Sequence, residues 1–243
     1  MPNPTAAMLV IGDEILSGRT RDANMHYLAG QLAQRGIDLL EVRVVSDQHD
    51  RIVTALNDLR AGHDHVFTSG GIGPTHDDIT ADAVAAAFGV ALTIRDDARA
   101  ILVEHYQRTG LELNAARLRM ARIPDGACLI DNPVSAAPGF SLGNVHVMAG
   151  VPAVFQAMAA ALLPGLAAGA ALYTQNLTIP RGEGEIATDL QALALEYPQL
   201  SIGCYPYQRD GAFGATVVVR GAEKADVDAA LVRLSELFPE AVA

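Results

Sequence analysis

Apolar and polar positions along this chain switch repeatedly between short strand-like runs and a helical period. Ala6 to Ile11 is an unbroken apolar run, and Asp22 then stands as an N-cap before Met25, Leu28, Ala29 and Leu32, with Gly36 as the stop. Leu39 to Val45 reads as a second strand, and Ile52, Leu56 and Leu59 form the apolar face of the helix after it. The third strand, His65 to Ser69, enters Gly70-Gly71-Ile72-Gly73-Pro74 and an alanine-rich helix predicted from about Thr75 to Ala87, with Gly89 as its stop. Strands and helices alternating at this spacing predict βαβ units around a mainly parallel sheet.

Further on, Asp96 to Thr109 and Asn114 to Ala121 read as helices and Ala127 to Ile130 as a strand. Gly139 to Leu142 and Asn144 to Met148 predict a hairpin turned at Gly143-Asn144. Val151 to Tyr173 carries no charge, but Pro164-Gly165 cuts it, and the helical spacing of Val151, Val154, Phe155, Met158 and Leu162 predicts a core helix rather than a membrane span. A composition shift at Leu166 to Gly169 marks a linker, so the expected domains are 1–168 and 169–243. The second reads strand Leu172–Ile179, helix Glu183–Glu196, strands Ser201–Tyr207 and Ala215–Arg220, and helix Lys224–Phe238, a small α+β unit with helices on one sheet face.

Composition narrows the function. The chain has 243 residues, 50% hydrophobic and 19% charged, which is ample material for a core. A net charge of −11 repels phosphate backbones and anionic lipid, so neither nucleic acid nor a membrane surface is an expected partner. Cys128 and Cys204 lie far apart and form no C-x-x-C pair, which excludes a zinc knuckle, and with no basic leader before the first strand a cytoplasmic location is expected. The seven histidines form no H-E-x-x-H, and His63-x-His65 reads as a strand flank. There is no G-x-S-x-G elbow, and Tyr205-Pro206-Tyr207 reads as packing or a sheet edge.

The chemistry concentrates in Thr68-Ser69-Gly70-Gly71-Ile72-Gly73-Pro74-Thr75-His76-Asp77-Asp78-Ile79-Thr80. A strand that delivers a glycine-rich turn onto a helix N-terminus makes an anion site, because N–H groups are free and a ligand can approach the backbone. The stretch is neither a Walker A loop nor a dinucleotide fingerprint. Asp77 and Asp78 would repel a bare phosphate, unless a divalent cation bridges carboxylate and phosphate. Thr75-x-x-Asp78 also reads as a plain capping box, and Asp47 as an N-cap for the helix that follows it. Against these readings, Gly12-Asp13-Glu14 and Asp47 follow neighbouring strands, so a parallel sheet brings all three acidic loops to one edge. His76, inside the loop, could contact a phosphate or donate a proton.

Gly12-Asp13-Glu14-Ile15-Leu16-x-Gly18, Asp22-x-Asn24, Asp47 and Gly70-Gly71-Ile72-Gly73-Pro74-Thr75-x-Asp77-Asp78-x-Thr80 together resemble the molybdopterin-binding (MoaB/Mog-like) fold of the CinA family. The Pro74 to Asp78 version is also similar to the N-terminal domain of eukaryotic FAD synthases. The resemblance covers about residues 5 to 165, and the segment after 170 is similar to the small second domain of CinA proteins. It implies a three-layer α/β/α domain that binds a phosphorylated pterin or nucleotide, with Asp47 and Asp78 as the functional pair. It also implies metal-dependent ADP-ribose pyrophosphatase activity, whereas the amidase domain of longer CinA proteins has no counterpart here. Two runs depart from the family pattern. Ala149-Gly150-Val151-Pro152-Ala153-Val154-Phe155 lacks the first proline and the acid of Pro-Gly-Val-Pro-x-Glu-Met, and Asn132 to Gly139 replaces a Gly-Thr-Ala-Pro-Gly stretch.

The expected protein is thus a nucleotide or pterin binder that hydrolyses a nucleoside diphosphate linkage. Asp47 and Asp78 are the expected catalytic residues, and Asp77 and Asp78 the expected ligands of Mg2+ or Co2+. Phosphate and substrate contacts are expected from Gly12, Asp13, Glu14, Asn24, Ser69, Gly70, Gly71, Gly73, Pro74, Thr75, His76 and Thr80. In that mechanism the Gly70 to Gly73 amides hold the pyrophosphate oxygens and water is the nucleophile. Adenylyl transfer to molybdopterin and non-catalytic binding are the alternatives, and a homo-oligomer is expected.

Overall fold

Ala6, Ala7, Met8 and Leu9 are all 0% exposed, which explains why the first strand reads as continuously apolar: it is covered on both faces. The computed structural model describes residues 3–209 and 211–242. Its chain order is β1 (Thr5–Ile11), α1 (Asp13–Leu16), α2 (Asn24–Ala33), β2 (Asp38–Val45), α3 (His49–Gly62), β3 (His65–Ser69), α4 (Thr80–Phe88), β4 (Leu92–Ile94) and α5 (Asp96–Thr109). There follow α6 (Ala115–Leu118), β5 (Arg122–Pro124), β6 (Cys128–Ile130), β7 (Gly139–Leu142), β8 (Val145–Met148) and α7 (Pro152–Leu162). A six-stranded sheet runs β2-β1-β3-β8-β7-β6, parallel from β2 to β8 and antiparallel at β8-β7 and β7-β6.

Side chains alternate between two cores. Ala7, Leu9, Val66, Val145 and Val147 pack with Ile52, Leu56 and Leu59 of α3 and with Val84 and Leu102. Ala6, Met8, Val10, Phe67 and Met148 pack on the other side with Leu28 and Leu32 of α2 and Phe155 and Met158 of α7. The result is the three-layer α/β/α architecture.

Three local features differ from expectation. The helix after the glycine loop starts at Thr80, five residues later than predicted from Thr75. Thr75 to Asp78 instead closes on itself: one Asp78 carboxylate oxygen accepts the Thr75 N–H at 2.8 Å and the Thr75 hydroxyl at 2.5 Å, so this pair caps no helix. Second, Asp47 does not cap α3, whose N-cap is Gln48. Third, β4 and β5 form a separate antiparallel pair of three-residue strands, too short to carry a period. The uncharged stretch after Val151 is α7 followed by a 3-10 turn at Leu163–Gly165, and among the described residues no helix is long and apolar enough to cross a membrane.

The chain divides into two compact units, the first ending at Gly169 and the second beginning at Ala170. The second runs β9 (Tyr173–Ile179), α8 (Glu183–Glu196), β10 (Ser201–Arg209), β11 (Ala212–Gly221) and α9 (Lys224–Leu237). Its antiparallel sheet is ordered β10-β11-β9, and Leu177, Ile179, Val217 and Val219 pack against Ile186 and Leu190 of α8 and Val227 and Leu234 of α9. Tyr205 and Tyr207 lie on the edge strand β10.

Candidate functional site

Parallel pairing places the ends of β1, β2, β3 and β8 side by side, and the loops leaving them enclose a cavity of about 580 Å3. From the expected set, Gly12, Glu14, Asp47, Gly70, Gly71, Gly73, Pro74, Asp77 and Asp78 line it. Crevices at the carboxyl ends of parallel strands are where open α/β sheets bind ligands, since the loops diverge there.

Glycine is required at specific points of this wall. Gly70 has φ +109 and Gly71 φ +69, backbone conformations that side chains rarely adopt. A Cβ on Gly70 would run into the Ile11 carbonyl, and one on Gly71 into the Thr80 hydroxyl. At Gly12 and Gly73 an acid side chain lies against the backbone: a Cβ would come within 2.6 Å of the Glu14 or the Asp78 carboxylate. The loop is tied down by the Gly70 N–H donating to the Met148 carbonyl (3.1 Å), the Thr80 N–H to the Gly71 carbonyl (3.0 Å) and the Thr80 hydroxyl to the Gly70 carbonyl (3.0 Å).

That accounting corrects the expected anion site. The Gly70 N–H is consumed, and α4 begins too late for its N-terminus to follow the loop directly. Among the described residues, no hydrogen bond occupies the N–H groups of Gly71, Ile72 and Gly73. Successive unfilled backbone donors in a turn are the kind of arrangement that can receive an anion without help from a helix.

Facing the loop, the Asp47 carboxylate accepts the Asp13 N–H at 2.8 Å. Burial pushes its pKa up, and the neighbouring charges of Asp13, Glu14 and Asp77 add to the rise, while the Asp13 hydrogen bond opposes it. Asp77 is displaced the other way, held down by hydrogen bonds from Thr75 and its own backbone N–H. Among the described residues no group of three or more His, Cys, Asp or Glu side chains is placed to hold a metal ion.

Six expected residues stand back from the cavity wall. Asp13 contributes its backbone N–H to Asp47, and Thr75 is engaged with Asp78. The His76 side chain is 99% exposed, 3.9 Å from Asp77, and does not line the cavity. Asn24, Ser69 and Thr80 are buried in hydrogen bonds behind the loop.

Sequence reasoning passed over Thr20 and Met120, and noted Asn132, Ser135 and Ala137 only as part of a run that departs from the family pattern; all five line the wall. Asn132 is 3% exposed; its Nδ2 donates to the Ser135 hydroxyl (2.7 Å) and the Ala137 carbonyl (2.8 Å), and its Oδ1 accepts the N–H groups of Val134 and Ser135. An Asn before Pro-Val-Ser is a turn signal that could have been read as wall-building. Arg119 and Arg122 were passed over as well. They border a small cavity shared with Gly71, Gly73 and Asp78, with Arg122 paired to Asp82 and the buried Arg119 Nε without a hydrogen bond.

Residues 7–168 match the family described as Probable molybdopterin binding domain, and residues 171–243 match the FAD synthase middle domain. A protein of Pyrobaculum calidifontis is 31% identical over 97% of this chain and 96% of its own length. A probable FAD synthase of Caenorhabditis briggsae is 28% identical over 96% of this chain, which spans 49% of that longer protein. The crystal structure of a CinA protein of unknown function from Thermoplasma acidophilum, 34% identical, superposes with a TM-score of 0.62 over 68% of this chain and 98% of its own.

Proposed function

The chain belongs to the molybdopterin-binding domain family, with CinA among its relatives, and we propose that it is a metal-dependent pyrophosphatase acting on an ADP-ribose-like nucleoside diphosphate. The observation that carries this reading is the pairing of unfilled N–H groups at Gly71 to Gly73 with Asp47, Glu14 and Asp77 around one cavity. Donors alone would suit any anion. Donors facing uncompensated carboxylates suit an anion that arrives with a cation.

The oxygen donor set fits a hard divalent ion of the magnesium kind, which uses one or two carboxylates and completes its shell with phosphate oxygens and water. Asp77 and the second oxygen of Asp78 would hold it, and when bound it would neutralise charge on the diphosphate. The N–H groups of Gly71, Ile72 and Gly73 hold the phosphoryl oxygens. The raised proton affinity of Asp47 suits it to take a proton from the attacking water as the water oxygen bonds to phosphorus and the bridging P–O bond breaks. One product is AMP and the other a sugar phosphate. The same reading keeps the chain in the cytoplasm as a homo-oligomer.

Purified protein incubated with ADP-ribose, FAD or ATP and Mg2+ or Co2+ should release AMP from ADP-ribose, and Asp47→Asn should not. AMP transferred from ATP onto a pterin would replace hydrolysis with adenylyl transfer. Tight binding without turnover would leave a binder.

A further inference from the structure

Asn24, the first residue of α2, is 3% exposed and carries a fixed, unsatisfied acceptor. Its Nδ2 donates to the Ser69 hydroxyl and to the Gly150 carbonyl, each at 2.8 Å. Those two bonds settle the amide's orientation, because flipping it would set oxygen against the Gly150 carbonyl. The buried Oδ1 is left with no donor. A buried carbonyl oxygen without a partner is costly, and it calls for an explanation such as a missing ligand atom.

Asn24 lines a side cavity of about 60 Å3 whose walls at Ile11, Glu14, Thr20, Gly150 and Pro152 also border the main cavity. The side chamber therefore opens beside the proposed phosphate site rather than elsewhere on the molecule. Glu14 and Asp22 line the chamber as acceptors and Arg21 as a cation, and the unpaired group beside it is the Asn24 oxygen, which suits a donor. Its volume has room for a few waters. A hydroxyl on a short stem fits that space.

We propose that this side cavity receives a sugar hydroxyl of the bound ligand and that Asn24 is a specificity residue, selecting ribosyl diphosphates over ligands that lack the hydroxyl. The proposal rests on the reading of the main cavity as a diphosphate site. Diphosphate oxygens take the N–H groups of the glycine loop while the attached sugar turns its hydroxyl toward the Asn24 oxygen. A site built to bond a hydroxyl discriminates strongly against the analogue without it, because its own acceptor is then stranded.

The test is binding of ADP, 2′-deoxy-ADP, 3′-deoxy-ADP and inorganic pyrophosphate to the full chain by calorimetry with Mg2+. In the wild type, one deoxy form should bind about tenfold or more weakly than ADP. In Asn24→Ala that preference should vanish while pyrophosphate affinity stays within about twofold. Ser69→Ala removes a partner of Nδ2 but not the acceptor, so it should keep the hydroxyl preference. Equal binding of ADP and both deoxy forms by the wild type, with pyrophosphate bound, overturns the role of Asn24 and leaves the diphosphate site standing. That comparison needs no variant to fold. Failure of pyrophosphate and every nucleotide to bind overturns the diphosphate reading and this proposal with it.

Discussion

The carboxylate of Asp47, at the end of β2, accepts the backbone N–H of Asp13, at the end of β1, at 2.8 Å across 34 positions of sequence. This one bond fastens two acidic loops together and points their charge at the glycine loop leaving β3. Asp13 serves through its backbone, so its side-chain charge adds to the repulsion without sharing the bond.

Asp47→Asn keeps an acceptor for the Asp13 N–H and deletes a charge that burial and three neighbouring acids disfavour. Folding raises the proton affinity of Asp47, so the ionised carboxylate costs stability once pH rises through the raised pKa, and the variant should lose that cost. At pH 7.5 its Tm is expected to rise by ~1 °C, as for a relieved surface repulsion. Metal and nucleotide should couple by ~1–3 kcal/mol in the wild type and by a similar amount in the variant, which keeps Asp77 and Asp78, read from thermal shifts with ADP-ribose, with and without Mg2+. Equal stabilisation by ADP-ribose in excess EDTA would show that these acids hold no cation.

His146 is buried between two partners, with Nδ1 2.9 Å from the Ser141 hydroxyl and Nε2 3.2 Å from His65 Nδ1. Burial, helped by His65, pushes its pKa down to about 4. A depressed histidine contributes stability that is complete above the unfolded pKa of 6.5 and is lost as pH falls toward 4. By linkage, that loss is about 2 kcal/mol at pH 5. Urea denaturation at pH 7.5 and pH 5 should show it, and His146→Gln should remove most of the difference. An undiminished difference would assign the acid sensitivity to other groups.

Glycine substitutions should separate conformation from crowding. Gly18 has φ +71 with nothing near its would-be Cβ, so Gly18→Ala should cost only ~1 kcal/mol. Gly70→Ala adds a clash with the Ile11 carbonyl, a backbone atom of the central strand, and should cost at least ~3 kcal/mol. Denaturation midpoints of the two variants would decide the ordering.

Ala167, Ala168, Gly169 and Ala170 are exposed and lie outside every helix and strand. Limited elastase digestion should cut there and leave a resistant fragment of about 165 residues. First cleavage inside the glycine loop or α7, with no such fragment, would mean that the two units do not fold independently.

Much of the fold was legible along the chain because its causes are local. The unbroken apolar β1, the 3.6-residue period of α3 and the αL glycine that stops α4 all follow from who their near neighbours are. β3, α5 and α8 occupy the residues their patterns predicted. The start of α4 was not legible that way. Thr75-x-x-Asp78 has a capping-box pattern, but Pro74 and the Thr75–Asp78 bonds spend it on a turn, while the backbone carbonyls of Gly70 and Gly71 hold Thr80 where the helix begins.

The acids and glycines of the site were named from motifs, and a parallel sheet was enough to bring their loops to one edge. Which atoms point into the cavity was decided only by tertiary contacts. The Gly70 N–H is taken by Met148, His76 turns out to solvent, and Asn132 and Ser135 arrive from a distant loop. Periodicity encodes which face of an element is buried, since neighbours three, four or two residues apart share that face. Occupancy of a hydrogen-bond donor or acceptor depends on partners as far away as Ser69 and Gly150 are from Asn24, and no local pattern records it.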